Sequence, residues 1–162
     1  MTLAQVFDLE NTELPVNLKF DDLMARPLTR KDLADDILAV NSSIDIIQKT
    51  RGGSWPSGVL SEDEDYLDLA WHEREFRDKN SLAYVVYNKN QQYVGCFYLY
   101  PIGVRTELTS ETDKFDVDAS WWVSTDSYNN GYYEKLYFAL DSWLKSDFPF
   151  NNIYYSNKIV PA

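Results

Sequence analysis

Cysteine occurs once, as Cys96, so no disulfide can form within the chain and nothing in the sequence requires an oxidising compartment. Cys96 sits in an apolar run, residues 93–98, with nothing basic beside it, and reads as a small buried hydrophobe rather than a nucleophile. Histidine also occurs once, at His72. A lone histidine builds no metal site without carboxylates at ligand spacing, and Glu73 and Glu75 fall on other faces of the same predicted helix, so no metal is expected. His72 therefore reads as structural or partly buried. No run approaches the ~20 apolar residues of a membrane span. The N-terminus has no basic region followed by a long apolar run, so no export signal is expected and the protein reads as cytoplasmic. Cations are scarce as well: 15 Lys and Arg stand against 26 Asp and Glu, a formal net charge of −11. That excess argues against nucleic acid or an anionic membrane as partner and favours a cationic or amine-bearing one. Acidity also keeps a protein soluble, which accounts for it without any partner.

Aromatic residues are abundant: 12 Tyr, 8 Phe and 5 Trp. With 44% hydrophobic residues the chain is globular, and 162 residues bury a real core in one domain. Most of the rings belong in that core; ligand stacking is the other use. No repeat or low-complexity linker marks a second domain, so residues 1–162 form one unit, with 1–20 as an N-terminal arm or edge segment of no clear period.

Residues 24–28 read as a short strand. Thr29 and Asp32 are spaced as an N-cap and its reciprocal acid, opening a helix with Leu33, Ile37, Leu38 and Val40 on its stripe. Residues 44–49 extend that helical region. A breaker-rich loop follows at 51–58. Ser61 and Glu64 form a capping box before a second helix that runs to about Asp78, with Leu69, His72 and Phe76 on one face. Residues 82–87 and 93–100 are nearly continuous apolar runs around a polar turn at 88–91. They predict a hairpin covered on both faces. A polar excursion, 104–114, leads to the most informative stretch.

Residues 117–123 predict a strand, 124–131 a polar turn ending in Gly131, and the following residues a helix. Tyr133, Leu136, Tyr137, Leu140, Trp143 and Leu144 give that helix its core-facing stripe. Residues 152–156 predict a last strand, so this unit is a parallel pair joined by a helix. A helix start behind a glycine turn leaves backbone amides unpaired and suits an anion such as phosphate. A plain strand–helix connection has the same pattern.

Helix, helix, antiparallel hairpin, strand, helix, strand: this order over residues 23–157 resembles the GCN5-related N-acetyltransferase (GNAT) superfamily. The resemblance implies a mixed, mostly antiparallel α/β sheet flanked by helices, with one parallel strand–helix–strand crossover. It implies an acetyl-CoA-dependent N-acetyltransferase acting on a primary amine of a small molecule or peptide. The family's Gln/Arg-x-x-Gly-x-Gly/Ala turn falls on residues 128–133, where Gly131 matches, Tyr128 replaces Gln/Arg and Tyr133 replaces the small residue. Backbone amides around Asn129, Asn130, Gly131, Tyr132 and Tyr133 are then implied to hold the pyrophosphate. Val123 would offer backbone groups to the pantetheine arm, and Asn157, just after the family's fifth strand, would contact it. Asp118, early in the fourth strand, matches the family's frequent base; a strand-end carboxylate is the other reading. Typical members continue with another helix, which carries a tyrosine acid, and a final hairpin. Here residues 157–162 follow the last strand, so the tyrosine has no counterpart, and a homodimer would cover the open strand edge. The degenerate turn also fits a non-catalytic module of the same fold that binds a ligand or partner through its aromatic surface. A carbohydrate-binding module would be built of strands, against which the two capped helices argue.

Overall fold

The computed structural model describes residues 2–7 and 9–162. Its helices are α1 (Leu3–Phe7), α2 (Leu33–Asn41), α3 (Ile44–Thr50), α4 (Glu62–Arg77), α5 (Thr125–Asn129) and α6 (Tyr132–Ser146). Six strands form one sheet in sequence order: β1 (Leu18–Phe20), β2 (Leu23–Pro27), β3 (Leu82–Asn88), β4 (Tyr93–Tyr100), β5 (Val117–Val123) and β6 (Ile153–Tyr155). Neighbours are antiparallel except β5 and β6, which are parallel. A tight turn returns a strand antiparallel, whereas a crossover helix returns it parallel, and α6 is that crossover. The expected mixed sheet is the one observed.

Strands β3 and β5 are buried along their whole length because helices cover both faces of the sheet. Alternate side chains divide between two cores. Val117, Ala119, Trp121 and Val123 of β5 join Leu136, Leu140 and Trp143 of α6 on one side. Trp122 joins Val40, Ile47 and Leu69, from α2, α3 and α4, on the other. The Ser61–Glu64 capping box forms, with each backbone N–H donating to the other side chain at 3.1 Å. The Thr29–Asp32 box also forms, but it opens a 3-10 turn, Arg30–Asp32, and α2 begins one residue later.

Three local expectations are corrected. The N-terminal segment carries more structure than an arm: Leu3, Leu9, Leu14 and Leu18 are buried, and β1 pairs with β2 as the edge strand through a turn in which Asp21 has φ 52°. These leucines lack a period because they lie on a helix, a 3-10 turn, a loop and a strand in succession. Met1 and Asp8 lie outside the described residues. The region after Asn41 is a separate helix, α3, and the turn after β5 contains a short helix, α5, whose N-cap Ser124 accepts from the Ser127 amide at 3.1 Å.

Two acids sit where α2 meets α4. Asp36 is 3% and Asp65 0% exposed, and neither forms an ion pair among the described residues. Burial and the neighbouring Asp65 push Asp36 up to about 8, so the pair holds one proton at neutral pH. An Asp36 proton gives Asp65 the donor that its two oxygens otherwise lack. In the unfolded chain an aspartate releases its proton near pH ~3.9. The folded state therefore holds more protons between about pH 4 and 8, and stability falls as pH rises through that window. Asp65→Asn removes the repulsion and supplies an amide donor. We expect it to raise the melting temperature at pH 8 by roughly 3–8 °C and to flatten the decline between pH 5 and 8. A parental pH profile in that variant, read by calorimetry, would contradict this.

Candidate active site

Strand β5 carries candidate groups at its C-terminal end and on one face. At the C-terminal end, α5 and Asn130 lead to Gly131, whose φ of 82° is the left-handed conformation that glycine adopts without strain. The Asn130 and Gly131 amides are used locally, donating to Ser127 and Tyr128 carbonyls at 3.1 Å. The amides of Tyr132, Tyr133 and Glu134 open the first turn of α6, which has no side-chain cap. Tyr133 and Glu134 border a cleft of about 400 Å³ lined also by Thr50, Tyr128, Gly131 and Ile159, among others. The Lys49 ammonium lies 5.6 Å from the centre of the Tyr128 ring, adding a cation near the cleft. Asn129, Asn130 and Tyr132 do not line it. The Asn130 side-chain Nδ2 donates to the Asp126 carbonyl at 2.8 Å, and the Tyr132 hydroxyl to Asp22 at 2.6 Å.

Next to the cleft the sheet opens. Strand β6 pairs only with Val117–Ala119, so the last four residues of β5 continue without it. Asn157 enters the gap: its Oδ1 accepts from the Trp121 amide at 3.0 Å, and its Nδ2 donates to the Trp121 carbonyl at 2.9 Å and to the Tyr133 hydroxyl at 2.7 Å. The Tyr133 hydroxyl faces the Thr50 and Ile159 carbonyls, and the Ile159 amide donates to Thr50. Val123, beyond Trp121, is the first odd-numbered β5 residue whose backbone faces the gap without either partner.

On the α2–α4 face lies a polar chamber of about 140 Å³ lined by Arg51, Trp55, Asp68, Trp71, His72, Tyr98 and Tyr100. Asp68 and His72 stand one turn apart on α4, with Oδ2 and Nε2 3.6 Å apart. Burial and the nearby Asp65 push Asp68 up to about 6. Burial and then the Arg51 charge push His72 down to about 4, so it is neutral at pH 7. The Arg51 guanidinium lies 4.6 Å over Tyr98 and donates to Ser120 of β5 at 3.2 Å, which ties the chamber to the strand. Asp118 shares that face but is fully buried and lines neither the cleft nor the chamber. Its oxygens accept from Thr106 at 2.6 Å and from Ser156. Burial raises its pKa while those two hydroxyls oppose the rise. Sequence reasoning passed over Asp68 and Arg51. The Asp-x-x-x-His spacing on α4 was the available signal for the first; Arg51 sits in a breaker-rich loop with no pattern of its own.

No protein-family model matches the chain, and no curated protein sequence matches it. Solved structures do. The ribosomal L7/L12 alpha-N-protein acetyltransferase RimL, in complex with coenzyme A, aligns with a TM-score of 0.59 at 15% identity, covering 83% of this chain and 70% of that one. A GNAT-family acetyltransferase from Bacillus anthracis gives 0.59 at 15% identity, over 85% and 70%. A ribosomal-protein-S5-alanine acetyltransferase from Vibrio fischeri gives 0.57 at 11%, over 82% and 69%. This chain has the GNAT fold. It spans about two thirds of the length of the structures it matches, 65% of one from Vibrio cholerae. β5 and β6 are the strands that the sequence resemblance numbers fourth and fifth, since β1 lies outside residues 23–157, over which it holds. No described helix is long and apolar enough to cross a membrane.

Proposed function

We propose that the protein transfers an acetyl group from acetyl-CoA to a primary amine. The observation that carries this reading is the pairing, along β5 of a GNAT fold, of an uncapped helix start beside a cleft with a separate chamber holding a tuned acid. The amides of Tyr132, Tyr133 and Glu134 suit a pyrophosphate, since the helix dipole and unpaired N–H groups act together there, and Lys49 adds a cation. Val123 faces the sheet opening that would admit the pantetheine arm. The thioester supplies the acyl group.

The amine enters the chamber, where the faces of Trp55 and Trp71 hold it. Asp68, ionised at pH 7, takes its proton; Arg51 disfavours the ammonium form and so promotes the loss. Nitrogen then attacks the thioester carbonyl, the N–C bond forms, the C–S bond breaks and the thiolate leaves to be protonated. This reading moves the base from Asp118 to Asp68. The chamber admits one amino group with a short arm, as on a small molecule or a peptide terminus; the ribosomal-protein acetyltransferases of the same fold act on the latter kind.

Acetyl-CoA at 100 times its Kd stabilises the folded state by about 2.7 kcal/mol, so the melting temperature should rise by roughly 5–10 °C. Tyr133→Phe keeps the ring but frees the sheet opening from the ties to Asn157, Thr50 and Ile159. One such bond contributes about 1 kcal/mol, so affinity should rise about fivefold. A second reading, a non-catalytic module, is favoured by the same ties, because Asn157 and Tyr133 already fill the opening. An unchanged melting temperature with about 1 mM acetyl-CoA, in both the parent and Tyr133→Phe, would select it.

A further inference from the structure

Acyl transfer as proposed leaves Arg105 and Lys158 unused. Arg51, Arg105 and Lys158 line a second open cavity of about 370 Å³ beside β6, together with Thr106, Tyr154 and Ser156. Among the described residues none of the three cations forms an ion pair. Arg51 is 7% exposed. Arg105 reaches it directly, donating through Nη2 to the Arg51 carbonyl at 2.8 Å and through Nε to Ser156 at 3.0 Å. The Nη1 groups of both arginines make no hydrogen bond among the described residues.

Two guanidinium groups that line one cavity, partly out of water, repel each other. The strain shows on Arg105, whose pKa is lowered by burial and then by Arg51. The loop geometry nevertheless brings the cations together. Gly52 and Gly53 have φ of 79° and 82°; a Cβ on Gly53 would stand 3.2 Å from Arg105 Nη1, and one on Gly52 3.2 Å from the Lys158 Cβ. Side chains at these positions would push both cations away. Two carboxylates balance them: Asp118, which sits behind Thr106 and Ser156 and accepts from both hydroxyls, and Asp68, which shares the chamber with Arg51. Three positive charges against these two negative ones leave the cavity net positive. A phosphate monoester carries close to −2 at neutral pH, and arginine forks match its oxygens. Arg51 also lines the amine chamber, so the two cavities adjoin.

We propose that this cavity binds the phosphate of a small phosphorylated amine, whose amino group reaches the adjoining chamber. The amine half rests on the acyl-transfer reading; the phosphate half does not. The test is calorimetric titration of the full chain with O-phosphoethanolamine, ethanolamine and inorganic phosphate, and with acetyl-CoA in parallel. O-phosphoethanolamine is expected to bind at least about tenfold more tightly than ethanolamine, and Arg105→Gln to weaken it about tenfold while acetyl-CoA binding stays unchanged. Should Arg105→Gln fail to fold, Lys158→Gln, at an exposed position, is expected to weaken the same ligand about threefold. Equal binding of O-phosphoethanolamine and ethanolamine, or parental affinity in the folded variants, would overturn the site. Inorganic phosphate binding as tightly as O-phosphoethanolamine would identify free phosphate as the ligand and overturn the amine assignment. Retained phosphoester binding without any acetyl-CoA binding would remove the transfer reading alone.

Discussion

Asp68→Asn is expected to fold as the parent does, to bind acetyl-CoA as the parent does, and to lose about 10²–10⁴-fold in turnover. Asparagine keeps the shape and cannot take the proton. Asp68 is half-buried and tuned by its surroundings, with Asp65 on the same helix and His72 3.6 Å away. A base that titrates near 6 gives kcat/KM an acidic limb with its inflection near that pH, and the variant should lose the limb. His72 stays neutral across the range, so it adds no second inflection there. Asp118→Asn provides the contrast. Asp118 is held by Thr106 and Ser156, so its loss should loosen the Ser156–Arg105 contact and lower stability, with the acidic limb retained. An unchanged profile in Asp68→Asn together with a lost limb in Asp118→Asn would return the base to β5.

Gly95→Ala is expected to cost more than about 3 kcal/mol, lowering the melting temperature by roughly 6–12 °C or abolishing soluble expression. Gly95 pairs with Val123 where β4 meets the end of β5. A Cβ there would lie 2.0 Å from the Trp122 carbonyl oxygen and 2.8 Å from the Val123 Cα. Both are backbone atoms, so no rotamer change relieves the clash and the strands must part. The same separation would displace Val123, so acetyl-CoA binding should weaken in any folded fraction. A melting temperature within about 2 °C of the parent would show that the strands shift at little cost.

Elements with a strong local signal were legible in the sequence. The Ser61–Glu64 box, the apolar hairpin and the Gly131–α6 unit lie where their patterns predict, because each is decided by residues within a few positions. The N-terminal elements were not legible, since the burial of Leu3, Leu9 and Leu14 depends on a core assembled from distant strands. The site divides the same way. A helix start behind Gly131 is local. The surroundings of Asp118 are not: Thr106 and Ser156 stand 12 and 38 residues away, and only the fold shows both carboxylate oxygens engaged. Arg51, Arg105 and Lys158 come from three separate loops and converge only in space. His72, expected to be structural or partly buried, is buried and also forms a wall of the chamber.

Acyl transfer as proposed requires above all that an acyl-CoA phosphate sit on the start of α6. Amide NMR during a titration with acetyl-CoA tests it most directly. The expected result is saturable shifts centred on Gly131, Tyr132, Tyr133 and Glu134, extending to Val123 as the pantetheine arm enters, with β1 and β2 unmoved. Saturable shifts centred elsewhere, or none up to about 1 mM, would contradict it.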